Sequence, residues 1–182
     1  MEKFIKIRLR DGSYITLPEW QIMYGLPKGS TKIGKYFSWT EYRFRQDIEQ
    51  YGELIVDEML MRLLDGIREE RGKFTRINSF NRSEEHQLTL EGKGFKAAKF
   101  SPHVVKMGAD IDTESHEETR KLAMLIDQVS KKMGIPCRFG YKSYMEDGMT
   151  FIHVDVCCYY YGKGGRLEGQ APHSAWTVEA RW

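Results

Sequence analysis

An α+β fold with a small, mainly antiparallel sheet is predicted for this 182-residue chain by three features of its sequence. Apolar stripes at helical spacing and short segments of strand character are interspersed along the chain. Strand segments return on one another through short polar turns. Two segments that open helices carry capping boxes, and glycines close them. Together these features describe helices packed on a sheet built largely from hairpins.

In chain order, residues 4–9 alternate apolar and basic side chains, Asp11-Gly12 follows, and Tyr14-Ile15-Thr16-Leu17 resumes strand character. This predicts a hairpin with an Asp-Gly turn. Residues 25–35 hold Gly25, Pro27, Gly29, Ser30 and Gly34, a loop or linker composition. Residues 1–35 are therefore expected to be an N-terminal extension, and residues 36–182 the main domain. Ser38-Trp39-Thr40-Glu41 is a capping box, and Phe44, Ile48, Tyr51, Ile55, Met59, Leu63 and Ile67 recur at three- and four-residue steps. One long helix ending near Gly72 is expected, with its stripe in the core. Lys73 to Ser79 has strand character and runs into the polar turn Asn81-Arg82-Ser83. Residues 87–99 show no clear period and read as a loop. Val104 to Ile111 is short, apolar and broken by Gly108. A second capping box, Ser115-His116-Glu117-Glu118, opens a helix through Leu122, Leu125, Ile126 and Val129 that Gly134 stops. Arg138–Ser143 and Met149–Tyr161 read as a hairpin around Glu146-Asp147-Gly148. Ala175–Ala180 reads as a closing strand.

Composition excludes several classes of function. The formal net charge is +2, too small to argue for a nucleic-acid or membrane surface. No apolar run is long enough to span a bilayer. The first residues lack the apolar stretch of a signal peptide, so synthesis in the cytoplasm is expected. The three cysteines, Cys137, Cys157 and Cys158, give no disulfide framework. If 157–158 is extended, their side chains point to opposite faces and do not share one metal site. A monomer is expected.

Chemistry concentrates in two segments. Asp110 lies seven residues after His103 in Ser101-Pro102-His103, and imidazole and carboxylate are both zinc ligands. In Phe151-Ile152-His153-Val154-Asp155-Val156, the residues Ile152, Val154 and Val156 form one apolar face. His153, Asp155 and Phe151 share the other. Same-face neighbours on a strand lie about 7 Å apart, so Asp155 can orient a metal-bound His153 or a bound water without itself being a ligand.

The order of these pieces resembles the zinc D-alanyl-D-alanine carboxypeptidase and peptidoglycan endopeptidase family, whose core is shared with the hedgehog signalling domain, and within it the small bacterial and phage branch. The carrying residues are Ser79-Phe80-Asn81-Arg82-Ser83-Glu84-Glu85-His86, then Ser101, His103 and Asp110, then Gly140-Tyr141-Lys142 ahead of Phe151-Ile152-His153-Val154-Asp155. Phe37-Ser38-Trp39-Thr40-Glu41-Tyr42 is similar to the segment opening the family's first helix. The likeness covers about residues 36–182. It implies a hedgehog-like peptidase fold and a zinc ion on His103, Asp110 and His153, with water in the fourth position. It implies that Arg82 binds a substrate carboxylate or steadies an oxyanion, and that Ser101 touches substrate or shapes its loop. It implies a peptidoglycan peptide as substrate and, for a chain without a leader, a phage endolysin acting on the wall after release.

Two departures bear on mechanism. The family's acidic general base three residues before the last zinc histidine is Thr150 here, which leaves Asp147 and Asp155 as candidate bases. The family's glycine three residues after its first histidine is Lys106. Asp112 has no assigned role beyond capping the helix that follows. The alternative function is a catalytically degenerate relative that binds wall peptides or a protein partner. A third is a purely structural zinc domain or a metal-free one.

Overall fold

The computed structural model describes residues 4–9, 14–18, 34–37, 53–80, 82, 84–93, 101–104, 106–161 and 177–179. Its strands are β1 (Phe4–Leu9), β2 (Tyr14–Pro18), β3 (Glu53–Val56), β4 (Ile77–Ser79), β5 (Gly108–Asp112), β6 (Cys137–Gly140), β7 (Phe151–Asp155) and β8 (Thr177–Glu179). Its helices are α1 (Glu58–Arg71), α2 (Glu84–Gly92), α3 (His116–Met133), α4 (Lys142–Glu146) and α5 (Cys157–Tyr161). The α+β class is as the sequence indicates. One sheet has the order β2-β1-β3 and the other β4-β5-β7-β6-β8. In the larger sheet the four strands β4, β5, β7 and β6 are antiparallel, and β8 adds in parallel on β6.

The first hairpin forms, with Ile7 opposite Ile15 across β1 and β2. Its Asp11-Gly12 turn lies outside the described residues. The long helix from Ser38 is corrected. Residues 53–56 are a strand pairing in parallel with β1, and the helix starts only at Glu58. Glu53-Leu54-Ile55-Val56 carries two β-branched residues, and Asp57 then caps α1 by accepting the Leu60 N–H at 2.9 Å. The Ser38 capping box and the stripe residues Phe44, Ile48 and Tyr51 lie outside the described residues. The loop expected over 87–99 is also corrected where it is described, because α2 runs to Gly92. Only Ile77–Ser79 of the predicted 73–79 strand pairs.

The stripe of α1 survives in its second half, with Leu60, Leu63, Leu64 and Ile67 fully buried. α1 packs on α3, which also packs on β6 and β7. From α3 come Leu122, Ala123, Ile126 and Val129, and from the sheet Ala109, Ile111, Ile152 and Val154. Gly72 and Gly134 end α1 and α3 with φ of 67° and 64°, a left-handed turn that glycine enters without a Cβ penalty. Two further corrections concern the region after β6. A short helix, α4, sits between the paired strands β6 and β7, and β7 ends at Asp155. Residues 157–161 are helical, so Cys157 and Cys158 are not on an extended strand. Both are buried free thiols, and burial raises their pKa values. The predicted closing strand over residues 175–180 is β8 where it is described.

The capping box at Ser115 forms and gains a tertiary function. Ser115 Oγ accepts the Glu118 N–H, while the Glu118 carboxylate accepts the Glu114 N–H at 2.6 Å and the Arg71 guanidinium at 2.6 Å, with Lys73 beside it. This joins the start of α3 to the end of α1. Burial opposes the Glu118 charge, but the bonds from Lys73, the Glu114 N–H and Arg71 outweigh it and hold the pKa near 2, against 4.5 ordinarily. A depressed carboxylate stabilises fully above its unfolded pKa and loses that contribution as pH falls from about 4.5 to 2. Glu118→Gln should therefore lower unfolding stability by about 1–2 kcal/mol at pH 7, after discounting for solvent screening, and by almost nothing at pH 2. Urea titrations of both proteins at the two pH values measure this.

Candidate metal centre

Strand register builds the site. Asp110 stands directly opposite His153 across β5 and β7, and Ala109 and Ile111 face the helices from the other side. Directly opposed residues in an antiparallel pair have Cβ atoms about 4.5–5.5 Å apart, within reach of a shared ion. His103 arrives from the turn before β5. Ser101 Oγ accepts the His103 N–H at 3.3 Å, and the Met107 N–H donates to the Pro102 carbonyl at 2.9 Å. Ser101 is buried and shapes this turn. Lys106, in the same turn, has φ of 67°, a left-handed conformation that favours glycine.

The three side chains meet. His103 Nε2 lies 3.1 Å from Asp110 Oδ1 and 3.1 Å from His153 Nδ1, and His153 Nδ1 lies 2.9 Å from Asp110 Oδ1. All three residues are buried, and among the described residues they form a group able to hold a metal ion. A tetrahedral ion with bonds of about 2.0–2.1 Å separates its ligands by about 3.3–3.4 Å, so a slight opening of the triangle admits one. On the far side of each ring lies an oxygen. His103 Nδ1 donates to the Phe80 carbonyl at 2.5 Å, which leaves Nε2 as the lone pair facing the cluster. His153 Nε2 faces Asp155 Oδ2 at 3.4 Å.

Electrostatics point the same way. Burial lowers the pKa of His103 and dominates there. At His153 burial is outweighed by hydrogen bonds to Asp110 and Asp155, and the pKa rises to about 9. Burial alone would raise Asp110, yet the two imidazoles beside it hold it far below the usual carboxylate range. Two imidazole nitrogens and a carboxylate oxygen converging in a buried space repel one another unless a cation lies among them. Without metal, the raised pKa of His153 favours a proton in that place.

Arg82 borders the cluster. Its Nη1 donates to Gln87 Oε1 at 2.8 Å, and its Nη2 lies 3.7 Å from Asp110 Oδ2. Its backbone N–H donates to the His103 carbonyl, tying the two segments together. Asp147 is exposed and caps the end of α4; the ligand cluster does not include it. Asp155 is fully buried on the Nε2 side of His153, the placement expected of an orienting carboxylate. Asp112 sits against Arg76 at 3.3 Å, while Ser115 caps α3.

Sequence reasoning missed Tyr144, Gln87 and Arg138. The Tyr144 ring packs on Phe151 with centroids 4.3 Å apart. Burial and then the charge of Asp110 raise its phenol pKa, so it remains a proton donor. No local signal marks Gln87 or Arg138, because a polar residue on a strand or helix reads as solvent-facing.

Gly108 makes the close approach possible. A Cβ there would lie 2.9 Å from Pro102 Cβ, 3.1 Å from His153 Cε1 and 3.3 Å from the His103 backbone nitrogen. Gly108→Ala should cost about 1–3 kcal/mol of stability through overpacking. It should also weaken any binding of a divalent metal at the cluster, because both histidines are displaced. Thermal melts with and without zinc test both effects.

No family model matches the sequence, and no curated protein matches it.

Proposed function

We propose that this chain is a zinc peptidase that hydrolyses peptide bonds of bacterial cell-wall peptidoglycan, as a D,D-carboxypeptidase or an endopeptidase, on a hedgehog-like peptidase core. What carries the reading is the convergence of His103, Asp110 and His153, brought together in a buried space from segments distant in sequence. The donor set of two nitrogens and one oxygen suits zinc, and three protein ligands leave a position for water or substrate. The motif resemblance then supplies the substrate class.

When bound there, zinc would supply a Lewis acid and a water acidified toward neutral pH. The chain's own residues do the rest. The Phe80 carbonyl holds His103 in the tautomer whose Nε2 can ligate. Arg82, fixed by Gln87, presents a guanidinium beside Asp110 for a substrate carboxylate or a developing oxyanion. Tyr144 contributes a protonated phenol near the same two charges. Of the two candidate bases, Asp147 is exposed to solvent, whereas Asp155 is fully buried on the far side of His153, so the base is assigned to Asp147.

The test is incubation of zinc-reconstituted protein with purified muropeptides and mass analysis of the products. Release of D-alanine or cleavage of a cross-link is expected. Intact muropeptides after prolonged incubation with one zinc per chain would reject hydrolysis. A second reading, a relative that binds wall peptides without cutting, is favoured by Thr150 at the usual base position. It predicts muropeptide binding by calorimetry without turnover. The proposal expects turnover that falls in Asp147→Ala or Asp155→Ala.

A further inference from the structure

We propose that Arg138 is a positioning residue of the metal centre, acting through Asp155 to aim His153 at the ion. The inference rests on the metal-binding reading of His103, Asp110 and His153, and it does not require hydrolysis.

The sheet places these residues in two successive rows of one face, separated by the row of Ala109, Val154 and Phe139 that faces the other way. Asp110, His153 and Gly140 are register partners across β5, β7 and β6, and Gly108, Asp155 and Arg138 are partners in the next row. Arg138 and Asp155 are both fully buried. The Arg138 Nε–H is shared between Asp155 Oδ1 and Oδ2, at 2.9 Å from each. The Cys157 N–H, at the start of α5, donates to Oδ1 at 2.9 Å. The carboxylate is thus held from two sides, and Oδ2 is the oxygen that faces His153 Nε2 at 3.4 Å. A carboxylate fixed beside the outer nitrogen favours the ring form that carries its proton there and leaves Nδ1 to the ion, which sets both tautomer and ring orientation.

Burial makes a specific role more compelling than simple stability. An ion pair this deep is commonly no more stabilising than a well-packed apolar pair of the same volume. The geometry gives Arg138 a directional task, because its Nε–H fixes both oxygens of Asp155. The pair also adds no net charge beside the ligands, so Asp155 orients His153 without competing for the ion.

The experiment measures zinc affinity by competition with a chromophoric chelator in the wild type, Arg138→Lys, Arg138→Met, Asp155→Asn and the double variant Arg138→Met/Asp155→Asn. It also records the His153 ring N–H signal of each zinc-loaded protein by NMR. Melting temperatures confirm folding. Arg138→Met and Asp155→Asn should each weaken zinc binding about 10- to 100-fold. The double variant should be no weaker than the worse single, because the two act as one unit, and Arg138→Lys should fall between wild type and Arg138→Met. The His153 Nε2 proton should exchange faster in every variant. If Arg138→Met does not fold, Arg138→Met/Asp155→Leu replaces the whole pair with apolar bulk, and the same loss of affinity is expected. Zinc affinity within twofold of wild type in folded variants, or losses that simply add in the double, overturns the proposal. A wild-type protein that binds no zinc overturns both this inference and the metal reading. Zinc binding without hydrolysis would remove only the peptidase.

Discussion

Asp110→Ala should abolish stoichiometric zinc binding, with affinity falling by about three orders of magnitude or more as one of three protein ligands is lost. The carboxylate also neutralises part of the ion's charge in a site where all three ligand residues are buried. Removing it leaves two imidazoles, one of which, His153, no longer has the bond to Asp110 that helps raise its pKa to about 9. In the wild type, zinc must displace the proton from His153 Nδ1, so its affinity should strengthen as pH rises toward that value. The wild-type protein should also gain about 4 kcal/mol of stability at a free zinc concentration a thousandfold above its dissociation constant, and Asp110→Ala almost none. Elemental analysis of dialysed protein and melts across a zinc series provide the measurements. One tightly held zinc per chain in the variant would mean that the cluster is not the metal site.

Arg82→Ala should reduce kcat/KM on muropeptides about 10²- to 10³-fold while zinc content stays at one per chain. The guanidinium is aimed by Gln87 and lies at the outer oxygen of Asp110, close to the ligands without being one. Arg82→Lys should recover only part of the loss, because an ammonium keeps the charge and not the planar fork. Turnover of Arg82→Ala within threefold of wild type would reduce Arg82 to a structural tie between the His103 turn and the segment before α2.

Much of the local structure was legible because it depends on neighbours in sequence. Ser115 and Glu118 mark the start of α3, Gly134 its end, and the alternation of Ile152 and Val154 marks the core face of β7. The first hairpin was readable for the same reason. The helix expected from Ser38 failed at residues 53–56. There an apolar run compatible with helical spacing is recruited as a strand by β1, a partner far away in sequence. Spacing alone does not separate those outcomes in a short apolar run. The turn around Asp147 looked like plain hairpin chemistry, yet α4 intervenes and brings Tyr144 onto Phe151.

Residue type and motif resemblance mark His103, Asp110 and His153 as candidate ligands, and their side-chain chemistry is inherent in the residues themselves. Their meeting is a tertiary fact. It depends on the register that sets Asp110 against His153, since a slip of one residue in either strand would turn that strand's residue to the opposite face. It depends too on Gly108 leaving space for His153 and on Arg138 finding Asp155 from the neighbouring strand. Register and burial come from contacts between segments remote along the chain. An arginine that reads as solvent-facing on its own strand therefore became a fully buried partner only when β6 closed against β7.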